Sequence, residues 1–254
     1  MAASVVQGTS PALFAEGPAR DGRFEVKERW AECRNFPEGH AEKTVEFLHR
    51  QMNEEIDGLE CAARMICDFP DAEWDLQMSI ARQCYDEARH VEMFRRACEA
   101  RGGRVGLYPV MNFQYRIITQ VPDLFGRLAV QNRAFEAEGV DAVEPEIAAA
   151  RARGDEDLAR LFDAQLADES GPVRFANEAL ARAIAKDPAT LMRIGRALDH
   201  AARAFLEVMG RAAIEGVRYG VNRPGRLEAG FTPQEVDLAE ALAGRRAAGV
   251  RSDG

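Results

Sequence analysis

The chain has 254 residues, 46% of them hydrophobic and 30% charged, with a net charge of −9 and a pI near 5.1. That balance suits one globular domain with extensions and argues against nucleic acid as the main partner. No apolar run approaches the ~20 residues a membrane helix requires, and Met1 to Gly8 lack the basic start and apolar stretch of a signal peptide. A cytoplasmic protein is therefore expected. The five cysteines, Cys33, Cys61, Cys67, Cys84 and Cys98, form no C-x-x-C pair, so free thiols are expected rather than a zinc knuckle or a disulfide framework.

Residues 1–40 are rich in glycine and proline without a sustained apolar period, and predict an irregular N-terminal extension. From Ala41 to Cys67, Val45, Leu48, Met52, Ile56, Leu59, Ala63 and Ile66 recur at helical spacing. Phe69-Pro70-Asp71 breaks the pattern, and a second helix is predicted from Ala72 to Arg101, capped at Gly102-Gly103. Residues 103–120 predict a long connection. A third helix is predicted from Pro122-Asp123 past Val140, with a bend at Pro145 and an end at Gly154; a fourth spans Asp155 to Lys186. Asp187-Pro188 opens a fifth helix running to Gly216, 218–230 reads as a loop, and Thr232-Pro233-Gln234-Glu235 opens a short C-terminal helix. No segment alternates as a strand does. The expectation is an all-α chain of two helical hairpins joined by one crossover, with a bundle over 41–217 and a C-terminal loop and helix over 218–254.

The chemistry sits in a repeated pattern. Glu87-Ala-Arg-His90 places a carboxylate and an imidazole three residues apart, on one helix face. Glu55 lies inside the apolar stripe of the first helix, where a charge is costly unless paired or metal-bound. The second half repeats the arrangement with Glu136 and Glu169: 32 residues separate Glu55 from Glu87, and 33 separate Glu136 from Glu169. An Asp-Glu pair stands at both Asp86-Glu87 and Asp168-Glu169. One Glu on each of two helices, with Glu-x-x-His on the other two, is the ligand pattern of carboxylate-bridged di-metal bundles. Hard carboxylates suit iron or manganese, and imidazole fills the remaining positions. The second Glu-x-x-His is incomplete, because Pro172 stands where the histidine would be. That proline removes a backbone donor and predicts a kink beside the site. His200 and Glu207 on the fifth helix are candidate substitute ligands, whereas His40 and His49 fall outside the repeat.

The segments Asn53-Glu-Glu-Ile-Asp-Gly-Leu-Glu60, Asp86-Glu-Ala-Arg-His-Val91, Phe135-Glu-Ala-Glu-Gly-Val-Asp141 and Asp168-Glu-Ser-Gly-Pro-Val173 resemble a largely uncharacterised family of bacterial ferritin-like proteins. That family is similar in layout to the di-iron carboxylate superfamily of oxidases, oxygenases and ferritins. The resemblance covers about residues 41–185 and implies a ferritin-like four-helix bundle with metal ligands Glu55, Glu87, His90, Glu136 and Glu169. It departs at Pro172, where the family pattern reads Asp-Glu-x-Gly-His-Val. The resemblance implies a di-iron or mixed iron/manganese oxidase or oxygenase, with molecular oxygen and a small organic molecule as substrates. The alternatives are a ferroxidase and a non-catalytic or single-metal binding protein. A homodimer along a helix face is compatible with the pattern.

Overall fold

The computed structural model describes residues 22–211 and 220–252, with side chains described through Gly244. Among the described residues the chain is all-α apart from one two-residue pairing. Two-residue strands β1 (Val26–Lys27) and β2 (Val110–Met111) pair in parallel, Val26 opposite Val110. The helices are α1 (Lys43–Asp68), α2 (Trp74–Ala100), α3 (Phe113–Thr119), α4 (Leu124–Val130), α5 (Glu136–Ala152), α6 (Glu156–Lys186), α7 (Ala189–Met209), α8 (Arg223–Glu228) and α9 (Pro233–Ser252). A π-helical turn, Gln131–Phe135, links α4 to α5 without a break. The five cysteines are free thiols, and no described helix is long and apolar enough to cross a membrane.

The four long helical runs form a bundle in which each crosses the same three layers. One apolar layer contains Leu48, Phe94, Val143 and Phe162. A second contains Ala62, Ile80, Ala129 and Ala176. Glu55, Glu87, Glu136 and Glu169 each fall seven residues, about two helical turns, from a member of either layer. All four therefore lie on inward stripes, in a polar layer between two hydrocarbon ones. The order in which the runs meet the layers also fixes direction. Residues 48 to 62 of α1 and 162 to 176 of α6 pass one way; 80 to 94 of α2 and 129 to 143 of the α4–α5 run pass the other. Two antiparallel hairpins are joined by the segment between α2 and α4.

That crossover is more ordered than a plain connection. It carries β2 and α3. The backbone amides of Gln114 and Tyr115, at the start of α3, donate to the buried carboxylate of Asp57 on α1, each at 3.0 Å. Gly106 has a positive φ of 72°, and a Cβ there would meet the Arg23 carbonyl oxygen at 2.0 Å, so only glycine lets the N-terminal strand lie against the crossover.

Pro145 lies inside α5, which continues to Ala152, and Pro172 lies inside α6. The backbone beside the site is irregular at the π turn. One sequence expectation is corrected. The predicted loop at 218–230 contains α8; the predicted end of the fifth helix at Gly216 lies outside the described residues, and α7 ends at Met209 before Gly210 with φ 74°. The C-terminal helix starts as predicted. The Thr232 amide donates to the Glu235 carboxylate at 2.9 Å, and the Glu235 amide to the Thr232 hydroxyl at 3.3 Å, a reciprocal capping box. Thr232→Ala is expected to cost about 1 kcal/mol, read as a lower denaturation midpoint with an unchanged m-value.

Candidate metal centre

The structure brings the sequence-predicted residues into one layer. One donor atom each from Glu55, Glu87 and His90 lies within 4.8 Å of the others. His90 Nδ1 is 3.1 Å from Glu55 Oε2 and 3.9 Å from Glu87 Oε2. Glu55, Glu87, Glu136 and Glu169 all line one cavity of about 760 Å³. Glu136 is half-buried, and the other four predicted ligands are buried. His200 and Glu207 line no part of that cavity and belong to no ligand cluster among the described residues.

Each half positions its second carboxylate by the absence of a side chain. A Cβ on Gly58 would sit 3.2 Å from the Glu87 carboxyl carbon, and one on Gly139 would sit 2.9 Å from Glu169 Oε2. The halves also exchange amides. Gln165 Nε2 donates to Glu55 Oε1 at 3.0 Å, while Gln83 Nε2 donates to Glu136 Oε1 at 3.3 Å and to Glu87 Oε1 at 3.2 Å. Gln83 and Gln165 stand four residues before Glu87 and Glu169, and Gly58 and Gly139 three after Glu55 and Glu136. These supports extend the repeat and were readable from it, since each pair recurs at the same offset as the glutamates it serves.

Asp168 is the other partner that sequence reasoning passed over. Its Oδ2 lies 3.2 Å from His90 Nε2 and also meets the Arg89 guanidinium. An Nε2–H donated to Asp168 leaves Nδ1 as the free lone pair facing Glu55 and Glu87, the tautomer that ligation needs. Asp86, its counterpart, pairs instead with Arg82 at 3.2 Å. His49 has no such role. Its Nε2 accepts from the Leu107 amide at 3.1 Å, and burial followed by the Arg104 charge lowers its pKa to about 4, so it is a neutral packing group. Tyr85 points to solvent.

The electrostatics of the layer are those of anions crowded without a counter-charge. Burial first, then Glu136, Glu55 and Glu169, push the Glu87 carboxyl well above its ordinary range. Burial followed by Glu55 and Glu136 does the same to Glu169. Burial raises Glu136 to about 7, against the Gln131 hydrogen bond that lowers it. Four carboxylates in a poorly solvated layer demand protons or a cation. The donor set fits a hard or borderline divalent ion at Glu55, Glu87 and His90.

The cavity has one carboxylate wall and one aromatic wall. Phe113 of α3, Phe135 of the π turn and Phe205 of α7 pack with ring centroids 5.5–6.1 Å apart. All three are half-exposed and line the cavity with Phe47, Phe162 and Met209.

A family model described as "Protein of unknown function (DUF455)" matches residues 2–237, and the chain belongs to that family. No curated protein and no solved structure matches the chain.

Proposed function

We propose that the chain is a ferritin-like metalloprotein, an oxidoreductase that uses a carboxylate-bound iron or manganese centre and molecular oxygen to oxidise a small organic substrate. The observation that carries this reading is the convergence of Glu55, Glu87 and His90 in a buried layer, faced by Glu136 and Glu169 from the matching hairpin. A structural ion pair explains it poorly, since the layer holds four acids and one imidazole, and Arg89 is engaged with Asp168. A bound redox-active cation supplies electrons to oxygen that no side chain here can provide.

The residues divide that work. Glu55, Glu87 and His90 hold the ion, Asp168 sets the imidazole tautomer, and Gln83 and Gln165 fix the carboxylates. Phe113, Phe135 and Phe205 give an apolar molecule a surface beside the centre and exclude water. That wall favours an organic substrate over the ferroxidase reading, because a hydrated ferrous ion gains nothing from three phenyl faces.

Metal-free protein reconstituted anaerobically with ferrous or manganous ion and then exposed to oxygen tests the reading. Stoichiometric metal with oxygen-dependent absorbance changes is expected. Absence of metal sinks it, and mineral accumulation replaces it with ferroxidase activity. The aromatic wall is tested separately on metal-free protein with the uncharged fluorophore N-phenyl-1-naphthylamine. Phe205→Ala is expected to weaken its binding about fivefold, about 1 kcal/mol, without changing metal content.

A further inference from the structure

The two halves of the centre differ in a way that bears on how many ions it holds. Resting on the metal-centre reading above, we infer that the chain binds one cation, at Glu55, Glu87 and His90, and that protein amides occupy the second position at Glu136. A shift of 82 residues carries Gln83, Asp86, Glu87 and Val91 onto Gln165, Asp168, Glu169 and Val173, but carries His90 onto Pro172. The proline ring has no donor atom to give a cation. Glu55 has an imidazole nitrogen 3.1 Å from its Oε2. Its counterpart Glu136 instead receives two N–H groups on Oε1, from Gln131 Nε2 at 2.8 Å and Gln83 Nε2 at 3.3 Å.

Those amides cannot simply turn round to offer oxygen. Gln83 Oε1 is held by Asn132 Nδ2 at 2.7 Å, so reversing Gln83 would oppose two N–H groups. Gln131 Nε2 also donates to Gln114 Oε1 at 2.8 Å, so its reversal would set oxygen against two oxygens. Gln131 and Asn132 are fully buried and both come from the π turn. The first half lacks that device: α1 runs through as unbroken α-helix, and its Gln51 turns aside to Glu54. An amide N–H places partial positive charge beside a carboxylate, which is what a cation would do, but it cannot be a ligand. Proline for histidine and the π turn thus act together, and the second half is built to satisfy Glu136 without metal.

The test is Mn(II) titration of metal-free full-length protein, with elemental analysis after desalting and electron paramagnetic resonance to separate a lone Mn(II) from a coupled pair. One equivalent with a single-ion spectrum is expected. His90→Ala should weaken that ion by more than about 100-fold, beyond what loss of an outer-sphere contact causes. Glu136→Gln should leave its affinity within about threefold, well short of the tenfold that loss of even an outer-sphere contact causes. Pro172→His alone should leave the stoichiometry at one, because the Gln131 and Gln83 amides still occupy Glu136. Two equivalents or a coupled spectrum in the natural chain, loss of the ion in Glu136→Gln, or two equivalents in Pro172→His would each overturn the inference and leave the metal reading standing. No retained ion would overturn both.

Discussion

Stripped of cations, the protein is expected to be most stable near pH 6 and to lose several kcal/mol of stability towards pH 9. An acid whose pKa is raised by folding binds its proton more tightly in the native state than in the unfolded chain. Its contribution is complete below the unfolded value, 4.5 for glutamate, and disappears as pH climbs through the folded value. For Glu136 that folded value is about 7, which makes its share on the order of 3 kcal/mol before allowance for partial exposure. Glu87 and Glu169 are raised as well, by burial and by the neighbouring carboxylates, and act in the same direction. His49 works the opposite way. Its folded pKa, about 4, lies below the ordinary histidine value of 6.5, so its contribution is lost as pH falls below 6.5, which keeps the optimum from moving to pH 4. The remaining charges around the layer, Arg89 and Asp168, pair with each other. A cation competes with the protons for the same oxygens, so its affinity rises with pH and its binding releases protons. Urea denaturation at pH 6, 7.5 and 9, with and without excess Mn(II), measures this. The metal-free slope should be steep and the loaded slope shallow. Parallel slopes, or greater metal-free stability at pH 9, would remove the crowded-anion account of the layer.

The parts of this centre legible in the sequence were those that obey a period. The long helices α1, α2 and α6 announce themselves because apolar residues return every three or four positions over more than twenty residues. The glutamates stand out because each interrupts such a stripe. The Thr232 N-cap with Pro233 in the first turn is a local signal and was found locally. Features that depend on pairing across the molecule were not legible. The β1–β2 contact joins residues more than eighty positions apart, each strand only two residues long, with no alternation to detect. The π turn leaves the apolar pattern of α4 and α5 intact on either side and shows only in backbone hydrogen bonding. Asp168 counted only as half of a repeated Asp-Glu pair until the opposite hairpin placed His90 against it. Pro145 and Pro172 are carried inside long helices, because packing along a buried face can hold a helical run through a proline.

Glu87→Leu is expected to move stability and metal binding in opposite directions, each by a large amount. The variant should bind no stoichiometric cation at the Glu55 and His90 side, since it loses one of three converging donors. Metal-free, at pH 8, it should be more stable than the parent by about 1–4 kcal/mol, the range found when buried charged groups give way to apolar ones of similar volume. The surroundings favour leucine. Glu87 is buried, with Ile80 and Phe94 of the two apolar layers seven residues to either side. Gly58, across from it, contributes no side chain to the contact. No donor is orphaned, because Gln83 Nε2 keeps its second acceptor, Glu136 Oε1. The gain should shrink as pH falls, because burial and the neighbouring carboxylates favour the protonated form of the parent's Glu87 in the folded state. Glu87→Ala would confuse this result, since it adds a cavity penalty of its own. A leucine variant that is less stable than the parent at pH 8, or that retains stoichiometric metal, would show that Glu87 is a structural carboxylate. Greater stability with metal lost is the signature of a site kept at the expense of the fold around it.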